Sequence, residues 1–146
     1  MTVNKNEISV VLSSRNNAEF DEKNLSNIRK EIKEQIEETK FFGQQLFSVW
    51  RNEDEVADGS QDIWNKCLET IREVEIVIVL FNGETGWVVN GDDTIGICHA
   101  EMMEAMNTSM EKVYLIDISD NHVGAQPKDK AFKEYLDSYQ IWKAIV

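Results

Sequence analysis

Ile76-Val77-Ile78-Val79-Leu80-Phe81 is an apolar, largely β-branched run, which predicts a strand buried on both faces of a sheet. A glycine-bearing loop follows this run, and Gly96-Ile97-Cys98-His99-Ala100-Glu101 opens the next predicted helix. Open α/β sheets bind ligands just beyond the carboxyl ends of their strands. A glutamate one turn into the following helix can overlook that crevice, so this stretch predicts both a fold class and a site.

Outward from this stretch, predicted strands and helices alternate along the chain. The strands are expected at 8–12, 45–50, 76–81 and 112–118, and the helices at 21–39, 61–73, 97–110 and from Pro127 through Trp142. This alternation predicts an α/β three-layer sandwich with a mostly parallel sheet of four or five strands. Right-handed crossovers restrict the topology, and the expected strand order is 2-1-3-4, which is flavodoxin-like, with strands 1 and 3 central. The 146 residues are interpreted as one domain, and a longer parent protein stays open.

Composition and charge exclude several classes of function. Fifteen Lys and Arg against 27 Asp and Glu give a net charge of −12, which argues against nucleic acid and membrane surfaces but not against a small anionic ligand. Cys67 and Cys98 lack metal-ligand spacing, so we expect reduced thiols, no metal and a cytoplasmic protein. No apolar run approaches the ~20 residues that span a bilayer. The acidic loop 51–59 matches no calcium loop and is interpreted as a solvated surface.

Polar residues and glycines follow the two strands that should lie side by side. Their hydroxyl, amide and backbone N–H groups could hold phosphate or ribose, and the guanidinium of Arg15 matches phosphate. Trp50 or Trp87 could stack on a flat base. Such an assembly suits a nucleotide. The candidate binding residues are Ser13, Ser14, Arg15, Trp50, Asn82, Gly83, Gly86, Trp87 and Cys98.

The residue types alone leave the role of Glu101 open. Its carboxylate could stabilise or attack a positively charged ribosyl centre as a glycosidic bond breaks. It could instead bind ribose hydroxyls without catalysis. The plainest interpretation is a solvated glutamate near a helix N-terminus.

Each binding candidate also has a plain structural interpretation. Ser13 and Ser14 could simply end the strand, because serines are common in turns and loops, and Arg15 could pair with nearby acids. Cys98 could be a small apolar filler. Trp64 and Trp142 fall in apolar stripes and are expected in the core.

The order and spacing of these segments resemble a known family. Val10-Val11-Leu12-Ser13-Ser14-Arg15, the helix start Glu19-Phe20-Asp21-Glu22 with Arg29, and Gly96-Ile97-Cys98-His99-Ala100-Glu101 look like the signatures of the bacterial "domain of unknown function 4062". Members typically read Ser-Ser-Thr after the first strand and Gly-Ile-Ser-x-x-Glu at the later helix. Arg15-Asn16 and Cys98 are departures from that pattern. The resemblance covers residues 8–118.

That family is similar in turn to Toll/interleukin-receptor (TIR) domains and nucleoside deoxyribosyltransferases. The resemblance implies a TIR-like domain in which Glu101 is catalytic and Ser13, Ser14 and Gly83 line the pocket. It implies cleavage of NAD, as a substrate and not a cofactor, in bacterial anti-phage defence. The implied partners are a small nucleotide, further copies of the chain, or a fused or separate ATPase module. A non-catalytic nucleotide-sensing or self-association module and a deoxyribosyltransferase remain the alternatives.

Overall fold

Five parallel strands form the central sheet of the chain, for which a computed structural model describes residues 6–15, 19–20, 23–51, 61–89 and 94–146. They are β1 (Ile8–Ser13), β2 (Phe47–Trp50), β3 (Ile76–Phe81), β4 (Val113–Asp117) and β5 (Trp142–Ile145). The order is β2-β1-β3-β4-β5, and every neighbouring pair is parallel. The predicted three-layer α/β class is confirmed, and the strand order extends the predicted 2-1-3-4 by one strand.

Four helices connect these strands within the described residues: α1 (Leu25–Glu38), α2 (Gln61–Glu73), α3 (Ile97–Thr108) and α4 (Pro127–Asp137). Asn24 caps α1, because its side chain accepts a hydrogen bond of 2.8 Å from the backbone N–H of Ser26. A short 3₁₀ turn, Met110–Lys112, leads from α3 into β4. The two-residue strands 19–20 and 23–24, and 40–41 and 44–45, form small antiparallel ladders outside the main sheet.

The alternation of side chains along β3 builds both halves of the core. Val77, Val79 and Phe81 face the cluster made with α2, α3 and α4. Ile78 and Leu80 face the opposite side, where they pack with the apolar stripe of α1. Burial on both faces explains why this strand is apolar at every position.

The prediction of one helix from Pro127 through Trp142 is wrong. Helix α4 ends at Asp137, because the backbone N–H and hydroxyl of Ser138 both donate to the carbonyl of Tyr135, at 3.2 and 2.7 Å. Trp142 then starts the edge strand β5 and is 57% exposed, so its expected place in the core is also wrong. Its ring packs edge-on against Tyr114, with ring centroids 5.6 Å apart. The apolar residues that follow a helical spacing in the sequence therefore belong partly to α4 and partly to the edge strand β5.

Pairing of β1 with β3 brings their carboxyl ends together, as predicted. Ser13 lies opposite Val79, so the residues after each strand leave the sheet along the same edge. That edge is where ligands bind in open α/β sheets. The predicted acidic loop from 52 onward, residues 16–18, the expected start of α1 at Asp21 and positions 91–93 lie outside the described residues.

Candidate functional site

A hydrogen bond joins the end of β1 to the second turn of α3. The hydroxyl of Ser13 donates to Oε1 of Glu101 over 3.0 Å. Both side chains are 1% exposed, so the interpretation of Glu101 as a solvated surface glutamate is wrong. The structure therefore brings together two residues that are 88 positions apart and that the sequence assigned to one site.

Arg29 on α1 completes this buried group, and it was not among the predicted site residues. Its side chain is fully buried, although it carries a charge. Nη1 donates to the carbonyl and to the hydroxyl of Ser14, at 2.7 and 3.0 Å, and Nη2 donates to the carbonyl of Leu12 at 3.0 Å. Arg29 thus binds the backbone on both sides of Ser13.

The sequence held a signal for this role of Arg29. Leu25, Arg29 and Ile32 follow one another at spacings of four and three, which places all three on the same helix face. Leu25 is fully buried and Ile32 packs on the core, so Arg29 occupies a position in the apolar stripe. A charged residue at such a position must find hydrogen-bond partners inside the protein.

Two backbone carbonyls and one side-chain hydroxyl accept the first N–H groups of α3. The backbone N–H of Ile97 donates to the carbonyl of Trp87 at 2.8 Å, and that of Cys98 donates to the carbonyl of Thr85 at 2.9 Å. The N–H of His99 donates to the hydroxyl of Thr85 at 3.1 Å. These donors are the ones that would otherwise bind an anion at a helix start, so a phosphate here has to be held by side chains or by other loops.

Cys98 is buried beside this group of charges. Burial, and then the nearby Glu101 carboxylate, raise the pKa of the Cys98 thiol well above its usual range, against smaller opposing effects of Arg29 and Arg15. The thiol is therefore neutral near pH 7 and is a poor nucleophile. Its packing in the main core cluster is that of a small apolar side chain.

The loop after β3 approaches Arg15 and Cys98 at Gly86. Gly86 has a φ of +85°, and a Cβ there would lie 3.4 Å from Cδ of Arg15 and 3.7 Å from Sγ of Cys98. Nη1 of Arg15 forms an ion pair of 2.7 Å with Oε1 of Glu84 in the same loop. Nζ of Lys128 donates to the carbonyl of Gly86 at 2.7 Å. Pairing of Arg15 with a nearby acid, the plainer sequence interpretation, is thus observed.

Gly83 and Asn82 lie on the side of the crevice next to β4. Gly83 has a φ of +96°, and a Cβ there would collide with the carbonyl oxygen of His122, so only glycine fits. The Gly83 carbonyl accepts from the N–H of Gly124 at 2.8 Å. The Asn82 side chain accepts from the N–H of Glu84 at 3.1 Å, which shapes the turn. Both residues organise the loop, and their contact with a ligand stays a prediction.

The two tryptophans predicted to stack on a base pack against the core. The ring of Trp87 meets that of Trp64 edge-on, with centroids 5.6 Å apart. Trp50 is paired with Val11, two residues before Ser13, and it packs against the same cluster. Both rings are partly buried, so the role in base stacking stays a prediction for each.

His99 is a second buried polar residue that the sequence left without a role. Its ring stacks on Phe132 at a centroid distance of 5.2 Å, and it contacts Tyr135 at 5.0 Å. Neither ring nitrogen has a hydrogen-bond partner in the described part of the chain. Burial lowers the pKa of His99, so the ring is neutral near pH 7.

An open groove of about 430 Å³ lies at the other end of the sheet. Its lining comes from the amino ends of β4 and β5, including Tyr114 and Trp142. Ligands of open α/β sheets bind at the carboxyl ends, so the crevice around Ser13 and Glu101 remains the candidate site.

Over the described ranges, no three His, Cys, Asp or Glu side chains are grouped so that they could hold a metal ion. No helix in the same ranges is both long enough and apolar enough to cross a membrane. Scans against models of protein families, against curated proteins and against solved structures each give no match.

Proposed function

We propose that this chain is a TIR-like domain that hydrolyses the nicotinamide–ribose bond of NAD or of a related nucleotide. Glu101 is the proposed catalytic residue, whose carboxylate stabilises the positive charge that develops on the ribosyl carbon. Nicotinamide leaves with the bonding electron pair, and water adds to the same carbon and loses a proton to solvent. The proposed setting, bacterial defence, follows from the resemblance alone.

The hydrogen bond from Ser13 to Glu101 carries this proposal. It puts a carboxylate at the carboxyl end of β1, beside the exit of β3, where a nucleotide would bind. A carboxylate held in one orientation is what stabilisation of a developing cation requires. Ser13, Ser14, Asn82 and Gly83 are the proposed contacts to ribose and phosphate. Because Glu101 is 1% exposed, substrate binding has to open the crevice.

Replacement of Glu101 by Gln tests the proposal directly. The amide keeps the shape and can still accept the hydrogen bond of Ser13, but it lacks the negative charge. We expect nicotinamide release from NAD to be lost, with the far-UV circular dichroism spectrum retained. Assays at low and high protein concentration, with deoxynucleosides in parallel, separate hydrolysis from base transfer and reveal any need for self-association.

Glu104→Gln is the matched control for this experiment. Glu104 lies about one turn further along α3 and pairs with Arg72 of α2 at 2.6 Å. The control removes the same charge from the same helix without touching the crevice. Turnover by Glu101→Gln at the rate of Glu104→Gln would refute a catalytic role for Glu101.

The burial of Glu101 favours a second candidate function, a nucleotide-sensing or self-association module without catalysis. A carboxylate hydrogen-bonded to Ser13 beside the buried Arg29 also suits a purely structural role. This candidate predicts nucleotide binding or oligomer formation without release of nicotinamide. Calorimetric titration with NAD, followed by analysis of the recovered ligand, separates the two functions.

A further inference from the structure

The ion pair between Arg15 and Glu84 joins the loop after β1 to the loop after β3. We propose that this pair fills a phosphate subsite, in which the Glu84 carboxylate takes the place of a phosphate group of the ligand. The inference deepens the proposed function, on which it rests for the identity of the nucleotide. The subsite itself is argued from the contacts of Arg15, Glu84 and Gly86.

Arg15 lies directly after β1, at the edge of the sheet where the carboxyl ends of β1 and β3 meet. Its Cδ would lie 3.4 Å from a Cβ placed on Gly86, and Sγ of Cys98 would lie 3.7 Å from the same Cβ, so the Arg15 side chain runs close to the start of α3. Its only hydrogen bond to a side chain in the described residues is that of Nη1 to Glu84. The remaining guanidinium donors are therefore available to a phosphate, which binds arginine through two parallel hydrogen bonds.

The ion pair between Arg15 and Glu84 is weak enough for a phosphate to replace the Glu84 carboxylate. The side chains of Arg15 and Glu84 are 28% and 32% exposed, and pairs with this degree of exposure contribute little to stability. The pyrophosphate of NAD or ADP-ribose carries two negative charges against the one of a carboxylate and offers more acceptor oxygens, so it competes well for the same guanidinium. Displacement of Glu84 then depends on the charge of the ligand.

The surrounding charges explain why an internal carboxylate is needed. Lys128 contacts the carbonyl of Gly86, so two cations flank this loop. The carboxylate of Asp129 accepts a hydrogen bond of 3.0 Å from the backbone N–H of Thr85. Glu84 provides the counter-charge in the absence of ligand. The exchange selects phosphorylated nucleotides over free nucleosides, since a nucleoside has no group that can replace the carboxylate.

Calorimetric titration with inorganic pyrophosphate, ADP-ribose and adenosine tests the subsite. The proteins are the wild type, Glu84→Gln, Arg15→Gln, the double variant and Glu104→Gln. The last is a matched control, because it removes one acid from another partly exposed ion pair. All five are first compared by circular dichroism and thermal midpoint.

We expect Glu84→Gln to bind pyrophosphate and ADP-ribose about fivefold more tightly than the wild type, which corresponds to the free energy of one exposed ion pair. Arg15→Gln should weaken both, the double variant should lose the gain, and adenosine should not respond to Glu84. Equal effects of Glu84→Gln and Glu104→Gln would show only a change in net charge and would overturn the inference. So would the absence of pyrophosphate binding by Glu84→Gln.

These outcomes are separate from those of the proposed function. Pyrophosphate binding that depends on Glu84, without release of nicotinamide from NAD, supports the subsite and refutes the glycosidase. If nicotinamide is released from NAD but pyrophosphate binding does not change in Glu84→Gln, the glycosidase is supported and the phosphate subsite is refuted.

Discussion

Ser13 and Glu101 share a buried hydrogen bond of 3.0 Å, although one ends the first strand and the other lies in the third helix. The bond connects the end of β1 to α3, so it contributes both to packing and to the position of the carboxylate. Arg29 supports it from the opposite side through its contacts with Leu12 and Ser14. The crevice and the junction of these elements therefore depend on the same side chains.

Removal of the Ser13 hydroxyl should destabilise the fold. Ser13→Ala deletes a hydrogen bond to a buried carboxylate, which costs about 1–3 kcal/mol in the free energy of unfolding measured by urea. Ser9→Ala is the control on the same strand. The Ser9 hydroxyl accepts from the N–H of Glu75, which also donates to the Ser9 carbonyl, so a smaller loss is expected. Equal losses would contradict the importance of the bond to Glu101.

Replacement of Arg29 should have the larger effect. Arg29→Met keeps the length of the side chain and removes three hydrogen bonds from a charged donor, so the free energy of unfolding should fall by more than about 3 kcal/mol. Arg29→Lys should lose an intermediate amount of stability, because an ammonium group cannot reproduce the planar arrangement of N–H donors in the guanidinium group. Arg72→Met is the control, because the Arg72 side chain is 53% exposed, and it should change the free energy of unfolding by less than about 1 kcal/mol. Urea titrations in which both Met variants lose similar stability would exclude the role inferred for Arg29.

Lys112 should be essential for the end of α2. Its buried Nζ donates to the carbonyls of Ile71 and Val74 at 2.8 and 3.2 Å, which are acceptors at a helix C-terminus. Lys112→Met should lower the free energy of unfolding by about 1–3 kcal/mol and increase hydrogen exchange at the end of α2. Lys133→Met, which removes only a surface pair with Asp137, is the control. Unchanged exchange at Val74 would disprove this assignment.

His99 should make stability depend on pH in the acid range. Burial lowers the pKa of His99, whereas an unfolded histidine titrates at about 6.5. Below that pH the unfolded chain takes up a proton that the folded chain does not, so stability falls as the pH falls. His99→Phe keeps an aromatic ring against Phe132 and cannot be protonated.

The free energy of unfolding of His99→Phe relative to the wild type should therefore rise as the pH is lowered from about 7 to about 5. Chemical denaturation at a series of pH values measures this difference. His122→Gln, at an exposed position, controls for loss of a histidine. A constant difference between His99→Phe and the wild type over this range would contradict the prediction.

The main sheet could be predicted because its inner strands are covered on both faces. The run 76–81 has no polar residue, and few structures other than a buried strand accommodate such a run between a helix and a glycine loop. The edge strand β5 was missed for the opposite reason. Only part of it is covered, so its apolar residues do not alternate clearly and they continue the spacing of α4. Periodicity alone does not separate a last helical turn from a short edge strand.

In the candidate site, sequence reasoning found the residues at strand ends but not their supports. The meeting of Ser13 and Glu101 followed from strand order, which right-handed crossovers restrict. The contacts of Arg29, and the use of the α3 N–H donors by Thr85 and Trp87, depend on how a loop and a helix cross in space. Sequence spacing carries no information about that crossing. The pairing of Arg15 with Glu84 is of the same kind.

The close fit of Gly83 under His122 has a mechanical consequence. The β3–α3 connection is tied on that flank to the β4–α4 connection through Gly124 and Asp129, so the two must shift as one body. On its other flank the partly exposed ion pair between Arg15 and Glu84 connects it to the loop after β1. We therefore expect a bound molecule to enlarge the hollow by separating Arg15 from Glu84, while the end of the first strand, which Arg29 holds, and the side next to the fourth strand stay fixed.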